Sequence, residues 1–211
     1  MQMDKFDIYE FSALLLPGAI ALYGLALLYP ELRLLVHNKD FTFGTLGLYV
    51  VLSFAAGHLI QAVGNQIEKI SWIKDGKPSD WVRQGMNNIL IEDQRENLKK
   101  LIVSELSYKK IDFKKTSQEE WENITREIYI FCRNQDKTKR IDIFNANYGL
   151  YRGLAASLLL LSLAIYIKLG NSHLWLSAIL AALAFLSIYR MQRFSIYYAK
   201  ELFMQFLHSY K

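Results

Sequence analysis

Apolar positions in this chain gather into four runs separated by polar stretches of very different length. Residues 11–29, FSALLLPGAIALYGLALLY, hold no charged side chain over 19 positions, enough for a helix to cross a ~30 Å hydrocarbon core. Residues 43–64 hold no Asp, Glu, Lys or Arg, and His58 is the one basic side chain there. Residues 153–167 and 174–189 are two further uncharged runs, split by KLGNSH. They are short, but Arg152, Lys168 and Arg190 flank them and can snorkel to the interfaces. The pattern predicts four transmembrane helices.

Between the second and third runs the period changes to that of amphipathic helices. PSDWVRQGMNNIL offers Ser79 or Asp80 as an N-cap after Pro78, and EDQRENLKKLIVSELS places Leu98, Leu101, Ile102 and Leu106 at helical spacing. TSQEEWENITREIYIFCRN opens with a capping box, Ser117 and Glu120, and carries Trp121, Ile124, Ile128 and Phe131 on one face. After residue 189, RMQRFSIYYAKELFMQFLHSYK continues as an amphipathic helix with Met191, Phe194, Tyr198, Leu202 and Phe206 on its apolar side. Its polar face is not strongly basic, which favours packing on the middle segment over lying at the membrane surface. The expected fold is all-α. Residues 1–65 form an N-terminal membrane hairpin (spans about 11–29 and 43–65), 66–152 a helical cytoplasmic module, 153–189 a C-terminal membrane hairpin and 190–211 a cytoplasmic tail helix.

Charge fixes the expected orientation. Of 25 Lys and Arg, 17 lie in 66–152, four follow residue 189, two lie in the ELRLLVHNKD loop, and Lys5 and Lys168 complete the set. Cytoplasmic loops carry the basic excess, so both termini and the middle segment are expected inside. The middle segment also has 14 acids, so the net charge of +5 is largely a topology signal and direct nucleic-acid binding is not expected. The stretch before residue 11 has three acids and one Lys, unlike the basic start of a cleaved signal peptide. The single Cys132 is expected to be a reduced thiol.

Four polar or irregular features stand in or beside the apolar runs. His58, Gln61, Asn65 and Glu68 fall at i, i+3, i+7 and i+10, a polar stripe along the second span. Such side chains in lipid require partners or water, so the stripe either bonds helix to helix or lines a conducting path. Gly57 and Gly64 leave that helix a shallow face, through which further copies of the chain are expected to associate. Pro17-Gly18 predicts a kink in the first span. Tyr148 and Arg152 stand where the module enters the third span, as interface anchors or as a coupling element.

Signatures of catalysis are missing. No phosphate-cradling glycine loop, metalloprotease histidine pair or Cys/His cluster occurs, and the histidines at 37, 58, 173 and 208 fall on different elements. No enzymatic activity, cofactor or metal is expected.

FSALLLPGAIAL, GHLIQAVGNQIE, YGLYRGLAA and the aromatic RMQRFSIYYAKELF together resemble a group of bacterial four-span membrane proteins that accompany phage-defence loci, CRISPR accessory membrane proteins among them. The resemblance implies a non-enzymatic inner-membrane effector or sensor that oligomerises, alters membrane integrity or recruits a soluble cytoplasmic partner. Membrane lipid, further copies of the chain and that partner are the expected contacts. A housekeeping channel or transporter subunit and a structural membrane anchor are the alternatives.

Overall fold

The computed structural model describes residues 10–35, 43–86 and 89–209, so the acidic start, His37 and Lys211 lie outside the described residues. Among the described residues every regular element is helical. A π-helical turn, Glu10–Leu15, leads into α1, Leu16–Leu28. The remaining helices are α2 Phe43–Ser71, α3 Pro78–Gln84, α4 Glu92–Glu105, α5 Gln118–Asn134, α6 Lys139–Leu169 and α7 Leu174–His208. Three helical stretches are long and apolar enough to cross a membrane: Phe11–Leu28, Phe43–Ser71 and Lys139–His208. The third is broken by a 3-10 turn, Gly170–His173. There the chain reverses: Ser162 Oγ and Ser177 Oγ each donate to the other's backbone carbonyl at 2.9 Å, a contact a straight 15-residue helix of about 22 Å forbids.

Two compact units divide the chain, and their borders differ from those the charge pattern suggests. The first runs to Ser71 and adds Ala146–Gln192; the second is Trp72–Asn145 with the chain from Arg193 onward. Helices rather than charges set the borders, because α2 continues past the polar boundary to Ser71 and α6 already begins at Lys139.

In the first unit the helices approach at glycines. A Cβ on Gly18 would lie 1.9 Å from the Ser53 carbonyl oxygen, and one on Gly57 would lie 2.2 Å from that of Leu14. Backbone meets backbone at both crossings, as small residues permit. The sequence suggests a kink at Pro17-Gly18; in the structure Pro17 sits in the first turn of α1, directly after the π-helical turn. A proline is tolerated there because the irregularity falls in the preceding segment.

The second unit is a helical globule around Trp121, Ile124, Ile128 and Cys132, the fully buried face of α5. Leu98 and Ile102 of α4 join it, and so do Leu202, Phe203 and Phe206 of α7. Trp121 stacks on Phe203 with ring centroids 5.8 Å apart, and Phe131 meets Phe206 edge-on at 5.1 Å. The tail therefore packs on the middle segment, as its weakly basic polar face suggests. Ser117 caps α5 by accepting from the Glu120 N–H at 3.2 Å. The start of α3 differs from expectation: Lys77 is the N-cap, and Asp80 serves as the N3 acceptor for the Lys77 N–H at 3.2 Å. Gly85 then ends α3 in the left-handed region, φ +85°, which a glycine adopts without strain.

Candidate functional site: a buried charge network among three helices

The polar stripe of α2 is split by its surroundings. At about 100° per residue its four members cover an arc of about 80°, and the edge of the contact with neighbouring helices runs through that arc. Gln61 and Glu68 face inward and are buried; His58 and Asn65 are exposed, with His58 meeting the Phe54 ring edge-on at 4.9 Å.

Gln61 is the hub. Its Nε2 donates to the Ala13 carbonyl at 2.5 Å and to the Gly149 carbonyl at 2.9 Å, while its Oε1 accepts from Arg152 Nε at 2.8 Å. The first of these bonds follows from the proline. Pro17 has no N–H, so the irregular turn before it is short of one backbone donor, and Gln61 brings a side-chain donor to a carbonyl of that turn. Pro17's own carbonyl accepts from Ser157 Oγ at 2.8 Å, a bond from α6 to the first turn of α1.

Arg152 completes the network. Its Nη1 donates to Glu68 Oε2 at 2.5 Å, with side-chain exposures of 14% and 8% for the two partners. Charge-assisted bonds of this length are strong only when desolvation is offset by further partners. Here Gln61 Oε1 supplies one, and the Tyr148 ring lies 5.6 Å from the guanidinium. Two glycines make the space. A Cβ on Gly64 would lie 2.9 Å from Arg152 Cγ, and one on Gly153 would lie 2.6 Å from Pro17 Cγ and 2.9 Å from Gln61 Nε2.

Of the residues singled out in the sequence, the structure brings together Pro17, Gly18, Gly57, Gln61, Gly64, Glu68, Tyr148 and Arg152, and leaves His58 and Asn65 outside. Gly57 and Gly64 are covered by this chain's own Leu14 and Arg152, so neither offers an open surface to a second copy. Sequence reasoning missed Gly153, Ser157 and the Ser162–Ser177 pair. The signals were present: Gly149 and Gly153 form a small-xxx-small pair, and lone serines interrupt the apolar runs.

The network has no nucleophile or open coordination position. Among the described residues no three His, Cys, Asp or Glu side chains gather as metal ligands would. What it can do is hold α6 to α2 through charge, and release that pair of helices if the charges separate. Comparisons with family models, with curated proteins and with solved structures find no match to this chain.

Proposed function

We infer that the chain is a non-enzymatic inner-membrane subunit of the sensor or effector kind, held in a resting state by the Glu68–Arg152–Gln61 network. In this reading α1, α2, α6 and α7 are four crossings, with both termini and the second unit in the cytoplasm. The reversal at Gly170–His173 supports two crossings rather than one in Lys139–His208. The single observation that carries the reading is the buried charge pair between α2 and α6. It falls where the uncharged runs 43–64 and 153–167 end, at the inner edge of the bilayer.

α6 and α7 each run across a border between the units. A partner or ligand on the second unit that shifts α6 separates Arg152 from Glu68. An unpaired buried charge costs about 3–5 kcal/mol, enough to define two discrete states. A phage-defence setting follows the sequence resemblance, and no nucleic-acid contact is needed. A channel within one chain is disfavoured because the inward polar groups are bonded to one another; His58 and Asn65 leave room for a polar path only between copies.

The test is expression of Glu68→Gln in bacteria, read with a potential-sensitive dye. Depolarisation by the variant under conditions where the wild type is silent supports a locked effector. A variant that reaches the membrane in wild-type amounts and leaves the potential unchanged contradicts it.

A further inference from the structure

A groove of about 490 Å³ opens among α1, α2, α6 and α7 of the first unit, a size typical of ligand sites. Ala19, Tyr23, Tyr49, Leu161, Ile165 and Leu180 are among its lining residues, and the wall is nearly all apolar. Two tyrosines bring hydroxyls to it, and that of Tyr49 is turned to the wall and donates to the Ala19 carbonyl at 2.8 Å. Along α1 the lining runs from Ala19 to Leu28, a rise of about 13 Å, close to one leaflet's half of a ~30 Å hydrocarbon core.

One end of the groove carries charge. Tyr29 follows the lining residue Leu28, and Lys168 stands one turn beyond the lining residue Ile165. The Lys168 ammonium lies 3.9 Å from the centroid of the Tyr29 ring, which holds the cation at the mouth while its exposed side still faces outward. An apolar slot one leaflet deep, topped by a fixed cation, has the shape and charge of a phospholipid with a net negative headgroup.

We propose that this groove is a specific site for one anionic phospholipid, an acyl chain lying along α1 and α6 and the phosphate on Lys168. The site rests on the membrane-embedded reading above but not on the charge lock, since none of its lining residues belongs to that network. Uncharged or zwitterionic lipids fit the slot equally and lack only the attraction to Lys168.

The experiment uses the full chain in detergent, exchanged into equimolar dioleoyl phosphatidylglycerol and dioleoyl phosphatidylcholine and examined by native mass spectrometry. One lipid is retained per chain, phosphatidylglycerol exceeding phosphatidylcholine about fivefold, the effect of a single interfacial lysine. Lys168→Gln keeps the lipid and brings that ratio near one. Leu180→Trp, which fills the slot, lowers retention of both lipids; should it fail to fold, the exposed Lys168 variant decides alone. Equal retention of the two lipids by the wild type, or an unchanged preference in Lys168→Gln, overturns the site. Because the readout is bound lipid and not membrane potential, it can fail while the locked-effector reading stands, and the reverse.

Discussion

Gln61 carries more of the first unit than its type suggests. A glutamine in an apolar helix is ordinarily a weak interhelical contact, worth about 0.6 kcal/mol per bond. This one bonds the Ala13 carbonyl in the turn before Pro17, bonds a second carbonyl on α6 and accepts from Arg152. Gln61→Leu removes all three bonds and strands two buried groups, Ala13 O and Arg152 Nε. The expected loss is about 1–3 kcal/mol for each stranded group, read as a lower midpoint of unfolding in detergent. A variant as stable as the wild type would mean that water or lipid satisfies those groups instead.

In the second unit, burial pushes the Cys132 thiol from 9.0 up to about 11. Burial first, then the hydrogen bond to Asp142, raises the Tyr129 phenol from 10.0 to about 12. Both groups are neutral in the folded state and ionise sooner when unfolded. Their contribution to stability is therefore complete below about pH 9 and is lost as pH rises, between 9 and 11 for Cys132 and between 10 and 12 for Tyr129. Tyr129→Phe should flatten the upper part of that alkaline decline, and Cys132 should react with a thiol reagent far more slowly at pH 8 before denaturation than after it. Fast labelling of the native protein would place the thiol at the surface.

Helices here meet where side chains are missing, and this decides what the sequence could reveal. The amphipathic stripes of α4 and α5 were legible because one polar and one apolar face leave a clear 3.6-residue period, and Trp121, Ile124 and Ile128 are buried as that period requires. The apolar spans carry no such contrast: lipid and protein interior are equally apolar, so hydropathy cannot say which face of α2 packs. His58, Gln61, Asn65 and Glu68 share an arc, and only the neighbours' placement separates the bonded pair from the exposed pair. Arg152 could be read as an interface anchor or a coupling point, but its partner lies 84 residues away in sequence. Two changes probe the element scale. Gly57→Leu puts a side chain into the Leu14 backbone and should disrupt α2 packing on the first span within a single chain, whatever the oligomeric state. The paired change His58→Leu with Asn65→Leu touches no recorded interhelical bond, so it should leave monomer stability within about 0.5 kcal/mol of the wild type. Loss of a larger assembly by that pair, with monomer stability kept, would assign the exposed polar face to contacts between copies.

At the scale of the whole molecule, the chain comprises a first unit with the long apolar helices and a second, amphipathic helical unit. The second unit's aromatic centre, Trp121 on Phe203, draws on residues 82 apart in sequence, so deleting the chain after Gln192 should unfold that unit while the first remains extractable only with detergent. Release of the full-length protein from membranes by alkaline carbonate would contradict the membrane assignment itself.

The central claim is that Glu68 and Arg152 act as one unit closing α6 onto α2. A double-mutant cycle of Glu68→Gln and Arg152→Met, followed by SDS titration of the folded protein in mixed micelles, tests it most directly. Each single change should remove the ion pair and destabilise the protein, and the double variant should lose less than the sum, with a coupling of about 0.5–3 kcal/mol. Strictly additive losses would show that the two charges do not hold each other, and the lock would fall with them.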